Sequence, residues 1–247
     1  VPRRVALVTG ASGNLGAAIV EQLADEGCDV AVHYRSSHPD ALLRNLSARG
    51  IRHLPVQADL ADAASAIALV DRVVRELGPI DVLVDNAADQ SVGSLDQLSA
   101  ADWDAMLRAT FLSAVHVTTR AAETMPSGGS IVTVSSVEAL TAFPAHAHYA
   151  AAKAALVSYT RSLALELAPR GIRANTVAAG LIERTGLAQS WPQGHEWWTR
   201  SAPLARPVSA AEVARAVAFL ASEGASGITG ALLPVDGGWS ASARAPF

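Results

Sequence analysis

The sequence predicts an α/β fold built on one doubly wound parallel sheet with helices on both faces, and three observations carry that expectation. Short β-branched runs alternate with Ala/Leu-rich helical stretches from end to end, the pattern of repeated βα units. The β-branched runs are apolar on successive residues, as expected when both faces of a parallel sheet are covered. A glycine-rich segment, Thr9-Gly10-Ala11-Ser12-Gly13-Asn14-Leu15-Gly16, follows the first of these runs and opens the first helical stretch.

Taken in order, the apolar runs 4–9 (RVALVT) and 29–34 (DVAVHY) flank an Ala/Leu-rich helix at 15–26. A helix at 39–49 leads to a strand at 52–57, and a helix at 63–77 leads to a strand at 80–85. One long helix is expected over 100–125, then a strand at 129–135, a helix at 148–168 and a strand at 173–178. A helix at 210–222 precedes the last strand at 231–235. This gives about seven strands in a single Rossmann-type sheet. No repeat, linker or low-complexity tract divides the chain, so residues 1–247 are expected to form a single dinucleotide-binding and catalytic domain. The long irregular stretch 180–207, with Pro192, Pro203 and Pro207, reads as a substrate lid.

Half the residues are hydrophobic and 17% are charged, enough for a sizeable core and against disorder. The net charge is −4 with no basic block, so neither nucleic acid nor an anionic membrane is expected as a partner. A single cysteine, Cys28, precludes an internal disulfide and fits the cytoplasm. No apolar run approaches the roughly 20 residues of a membrane span, and Val1-Pro2-Arg3-Arg4 leads into a strand rather than a signal peptide.

In the glycine-rich segment, glycines let the backbone approach a pyrophosphate, and the helix N-terminus supplies oriented N–H groups. The bland alternative is a tight βα turn without ligand, against which the strand before and the helix after both count. About 20 residues on, an NAD site would carry a carboxylate for the ribose hydroxyl. The second strand instead ends Tyr34-Arg35-Ser36-Ser37. A guanidinium there suits a 2′-phosphate, which favours NADP(H) over NAD(H); a solvated surface arginine is the alternative reading.

Tyr149 and Lys153 are one helical turn apart, which puts phenol and ammonium on one face. A nearby ammonium lowers a phenol's pKa, so the pair can exchange a proton with a substrate oxygen. Ser136 lies thirteen positions before the tyrosine.

With these residues in place, nearly the whole chain resembles the short-chain dehydrogenase/reductase family, in its ketoacyl-reductase and sugar-dehydrogenase type. The resemblance implies that Ser136 hydrogen-bonds the reacting carbonyl, that Tyr149 is the general acid, and that Lys153 perturbs the phenol and holds the nicotinamide ribose. It implies cofactor contacts from Gly10, Ser12, Gly13, Asn14, Leu15 and Gly16, and from Tyr34, Arg35 and Ser36. Asp59-Leu60 matches the adenine-contacting pair, and Asp85-Asn86-Ala87-Ala88 matches the Asn-Asn-Ala-Gly segment. Residues 175–182, including Gly180 and Ile182, match the turn that carries the nicotinamide amide, and Asp236-Gly237-Gly238 matches the usual ending.

Departures from that pattern are specific. Asn14 replaces a glycine, in a loop expected to survive because asparagine tolerates left-handed backbone. Gly13 stands where NADP-preferring members often carry a basic residue. Ala88 replaces a glycine, Ala179 a proline and Arg184 a threonine that has Thr185 beside it. Thr110 replaces the asparagine that holds a proton-relaying water, and threonine cannot offer an amide's two donors.

Several residues keep two readings. His146-Ala147-His148 reads as a site wall or solvated loop rather than a metal site, and no metal is expected. Trp191, Trp197 and Trp198, with His195 and Phe143, either anchor the lid or line an apolar substrate pocket. Glu138 either contacts substrate or is a solvated loop carboxylate. Apolar residues on more than one side of the helix at 148–168, together with the family's habit, imply a homotetramer or homodimer. The function expected is NADPH-dependent reduction of a carbonyl, or of an imine, on a medium-sized apolar small molecule. The rivals are non-redox chemistry (isomerisation or cyclisation) on the same scaffold, and a dinucleotide-sensing protein without turnover.

Overall fold

The computed structural model describes residues 3–242; Val1 and Pro2, read above as leading into the first strand, lie outside the described residues. Seven strands form one parallel sheet: β1 (Val5–Val8), β2 (Asp29–Tyr34), β3 (His53–Gln57), β4 (Val82–Asp85), β5 (Ser130–Ser136), β6 (Arg173–Ala179) and β7 (Leu232–Val235). Their spatial order is β3-β2-β1-β4-β5-β6-β7. The order reverses between β1 and β4, and the crevice at such a switch point, outside the carboxyl ends of the strands, is where this class of fold binds ligands.

Strand side chains alternate between two apolar cores, which explains the unbroken hydrophobic runs. Ala6, Val8, Val30, Val32, Val82, Val84, Val132 and Val134 face one core. There they meet α1 (Asn14–Asp25), α2 (Asp40–Ala48) and α9 (Ala210–Ala221). Leu7, Ala31, Leu83, Ile131 and Ala174 face the other, against α3 (Ala63–Glu76), α5 (Ser113–Thr124) and α6 (Ala147–Leu167). Capping accounts for several helix starts: Asp62 accepts from Ser65 N–H, and Ser99 and Ser209 open full capping boxes with Asp102 and Glu212.

Two expectations are corrected. The helix predicted over 100–125 is broken into α4 (Ala100–Leu107) and α5 by a π-helical turn at Arg108–Leu112. Such an insertion shifts the apolar pattern by only one position, and π-turns concentrate at functional sites. The stretch read as irregular, 180–207, contains α7 (Leu187–Ser190) and α8 (Pro192–Ser201). Pro192 is a helix's first residue there, where its fixed φ helps and its missing N–H is not needed. No helix among the described residues is long and apolar enough to cross a membrane.

Candidate active site

The carboxyl ends of β1, β4, β5 and β6 bring the glycine loop, Asn86, Ser136 and Gly180 to one edge. Gly10 has φ +64°, and a Cβ on it would lie 2.9 Å from the Ala87 Cα. A Cβ on Gly16 would lie 2.2 Å from the Gly10 carbonyl oxygen. Both positions therefore need glycine, whereas at Gly13 a Cβ meets nothing closer than 3.6 Å. Thr9 Oγ1 accepts the N–H groups of Asn86 and Ala87 at 2.9 and 3.0 Å. The Asn86 amide donates back to the Thr9 and Gly10 carbonyls at 3.0 and 3.1 Å. Loop and β4 end are thus laced together.

Sequence reading missed His33. Its Nδ1 accepts the Gly10 N–H at 3.0 Å while Nε2 faces the Ala58 carbonyl at 3.1 Å. That pairing fixes the neutral tautomer with the proton on Nε2. Burial lowers its pKa, against the pull of the Ala58 carbonyl and Asp59. The available signal was a polar residue in an otherwise apolar, buried strand.

Asn14 is corrected as well. It is the first residue of α1, with no left-handed backbone, and its amide donates to the Glu183 carbonyl at 3.1 Å. Asparagine therefore ties the glycine loop to the lid segment. Ser12, Leu15 and the rest of the loop lie at the N-terminus of α1 as expected. Arg35 and Ser36 are exposed just past Tyr34, the last residue of β2. Asp59 is exposed after β3 with Leu60 buried behind it. Ala88 is half-buried two residues past Asn86. Gly180 admits no side chain, since a Cβ would lie 2.7 Å from the Trp198 ring. Ile182 pairs with Val208 in an isolated bridge that begins the lid.

Ser136 ends β5, and its hydroxyl accepts the Glu138 N–H at 3.1 Å. Tyr149 and Lys153 lie in the first two turns of α6, both buried. Lys153 Nζ donates to the Val134 carbonyl at 2.8 Å and stands 5.7 Å from the centre of the Tyr149 ring. The ammonium was expected to lower the phenol's pKa. Instead, burial pushes the phenol well above its ordinary range, the Glu138 carboxylate adds to that, and the Ser136 hydroxyl works against it. Burial also lowers Lys153 to about 8, held up by Asp85 and Glu138. Asp85 itself is raised to about 7 by burial, with Thr118 and Lys153 opposing. Thr118 Oγ1 donates to Asp85 Oδ2 at 2.6 Å, and Asp85 Oδ1 has no partner among the described residues.

Thr110 is fully buried in the π-turn. Its hydroxyl donates to Met106 Sδ at 3.3 Å and accepts the Asp89 N–H at 3.1 Å. Met106 packs with Tyr149 and Ala152, so Thr110 braces the wall behind the phenol.

The lid aromatics divide. Trp198 is buried and stacks on Trp239 at 5.2 Å and 8°, and Phe143 stacks on the same ring at 5.3 Å. This is an anchor. Trp197, 43% exposed, meets Phe143 edge-on at 5.7 Å, and Trp191, 47% exposed, lies over Gly194. Those two rings remain on the surface, and His195 faces Glu183 at 3.4 Å. Among the described residues no group of three His, Cys, Asp or Glu side chains could hold a metal ion.

A family model described as enoyl-(acyl carrier protein) reductase matches residues 10–240. A 3-oxoacyl-(acyl-carrier-protein) reductase, FabG, of Staphylococcus aureus is 36% identical over 237 residues, 94% of this chain and 96% of that protein. Among solved structures, a blue fluorescent protein from a metagenomic library in complex with NADPH superposes with a TM-score of 0.91. It is 36% identical, over 96% of this chain and 97% of that one. A short-chain dehydrogenase/reductase from Serratia marcescens gives a TM-score of 0.92 at 35% identity, over 96% and 98% of the two chains. The chain belongs to the short-chain dehydrogenase/reductase family of oxidoreductases.

Proposed function

We propose that the protein is an NADP(H)-dependent reductase of a carbonyl, or of an imine, on a medium-sized apolar substrate. The observation that carries this reading is the convergence of Ser136, Tyr149 and Lys153 at the strand ends beside a glycine loop that leaves backbone open. Gly10 and Gly16 keep a cradle that any Cβ would fill, and the N-terminus of α1 turns its N–H groups to it. Arg35, exposed at a strand tip without a carboxylate, suits a 2′-phosphate. Asp59, Leu60, Asn86, Ala87, Ala88, Gly180 and Ile182 complete the proposed cofactor contacts. The NADPH complex of the metagenomic relative supports the choice.

A bound nicotinamide supplies the hydride. The protein's own residues manage the oxygen. Tyr149, kept neutral by burial, holds the proton that the developing alkoxide takes. A protonated phenol is the form that reduction needs, whereas alcohol oxidation would need the phenolate. Ser136 donates to the same oxygen and polarises it. Lys153, still charged at neutral pH with a pKa of about 8, orients the ribose and favours charge on the phenol oxygen as the proton leaves. Thr110 supports the site through Met106. On the outer face of α6, Ala154 and Leu165 are exposed, and a homodimer or homotetramer across this helix is part of the proposal, as is a cytoplasmic location suited to one buried thiol, Cys28.

Titration with NADPH and NADH, followed by nicotinamide fluorescence, tests the cofactor. Tighter binding of NADPH is expected, and tighter binding of NADH overturns the role given to Arg35. For the chemistry, Tyr149→Phe should lower turnover by at least about a hundredfold while leaving NADPH affinity unchanged. Parallel loss of both would mean that the phenol holds the fold rather than the proton.

A further inference from the structure

Resting on the reductase reading above, we propose that the Glu138 carboxylate reads the substrate by accepting a hydrogen bond from a hydroxyl on the carbon next to the carbonyl. The preferred substrates are then α-hydroxyketones with an apolar body and, in reverse, the corresponding vicinal diols.

Glu138 sits in the 3-10 turn Val137–Ala139 directly after β5. Its N–H is bonded to the Ser136 hydroxyl at 3.1 Å, so its side chain leaves the backbone beside the group that polarises the carbonyl. The side chain is half-buried rather than freely solvated, 15% exposed. A carboxylate so placed needs partners. One is His146, whose Nδ1 lies 2.7 Å from Oε2 at the start of α6. The His146 ring stands edge-on to Tyr149, centroids 6.2 Å apart at 87°. The pair therefore touches both groups proposed to hold the substrate oxygen. Among the described residues no group donates to Oε1, and this oxygen is not sealed from solvent, so a ligand's donor can reach it.

The charge around Glu138 selects the kind of donor. His146 already faces the carboxylate, and Lys153 lies within its field, as does the Tyr149 phenol. A second ammonium would meet Lys153, and an anion would meet Glu138. A neutral hydroxyl meets neither obstacle. It can donate to Oε1 while its neighbouring carbonyl oxygen accepts from Ser136 and Tyr149, and this two-point grip fixes which face of the carbon is presented.

The test compares acetophenone, α-hydroxyacetophenone and α-aminoacetophenone as substrates with NADPH, in the wild type, Glu138→Gln and Glu138→Leu. The wild type should favour the hydroxyketone over acetophenone by at least about tenfold in kcat/KM. Glu138→Leu should bring that ratio near one, and Glu138→Gln, which keeps an acceptor, should retain part of it. NADPH binding by each variant reports that it is folded. A structural role for Glu138 would lower both ketones together and leave the ratio intact, overturning the inference. Equal rates in the wild type, or preference for the aminoketone, overturn it as well. Turnover of none of the three ketones with NADPH bound removes the reductase reading, and this inference with it.

Discussion

On the β1–β4 side of the site, order comes from the backbone: glycine contacts below 3 Å and hydrogen bonds among Thr9, Gly10, His33 and Asn86. On the β6–β7 side it comes from side chains, chiefly rings stacked on Trp239. On the proposed function, the first arrangement meets atoms that any dinucleotide would present alike. The second can change with each substitution of a ring, so shape at the substrate end can vary without disturbing the nucleotide end. One edge of one sheet thus combines an invariant task with an adjustable one.

Trp198→Ala tests this division most severely. Removing a fully packed ring costs about 3–5 kcal/mol, readable as a lowered urea midpoint. If the two sides are separate, amide exchange should quicken across α7 and α8 while the amides of Gly10 and Asn86 stay protected. Equal quickening at both would merge them into one cooperative unit. Trp198→Phe should cost less, because the indole Nε1 has no partner among the described residues and no hydrogen bond is lost.

Titration offers a second way to separate the sides, because the nucleotide side carries two buried groups with opposite signs. Asp85, raised from 3.8 to about 7, binds its proton more tightly when folded. Stability should therefore fall as pH rises between those values, by on the order of a few kcal/mol. His33, lowered in the fold, contributes stability that is present above about pH 6.5 and lost as pH falls through and below it. Asp85→Asn keeps an acceptor for Thr118 and should raise the melting temperature at pH 7, leaving the His33 slope exposed. An unchanged pH profile in this variant would remove Asp85 as the source of the falling arm.

The same contrast explains what was legible in the sequence. The sheet, its order of elements and the glycine loop follow from periodicity and from residues whose geometry is local. The pairing of Tyr149 with Lys153 was legible because one helical turn suffices to bring them together, and Ser136 was added by the family resemblance. His33, Met106 and Glu138 were missed or read blandly because their partners lie in other elements: Gly10 and Ala58, Thr110 and Tyr149, His146. The π-turn at Arg108–Leu112 escaped because one extra residue shifts the apolar pattern by a single position between two short helices. The lid helices escaped because three prolines read as breakers, although one of them, Pro192, starts a helix.

Within the glycine loop, Gly13 and Gly16 should behave as opposites. Gly16→Ala drives a methyl against the Gly10 carbonyl and should cost about 1–3 kcal/mol, with loss of NADPH binding. Gly13 has φ −82° and ordinary space around it, so Gly13→Ala should stay within about 1 kcal/mol of wild type or gain slightly. Urea melts of the two variants would contradict the backbone-limited picture if their costs were equal.

The smallest effect belongs to a hydrogen bond between the sides, the amide of Asn14 on the Glu183 carbonyl. The bond is solvent-exposed, and its loss in Asn14→Ala should cost about 0.5–1.5 kcal/mol at most. Its value lies in where the change appears. Glu183 precedes α7 and faces His195 on α8, so a loosened tie should quicken exchange mostly in 183–190 and move the global melt by no more than a few degrees. If NADPH affinity also falls, the lid and the cofactor loop are coupled through this single amide, and the asparagine that departs from the family's glycine is the coupling element. If affinity holds, this amide carries no coupling between the lid and the cofactor loop, and variants at Asn14 leave the cofactor untouched.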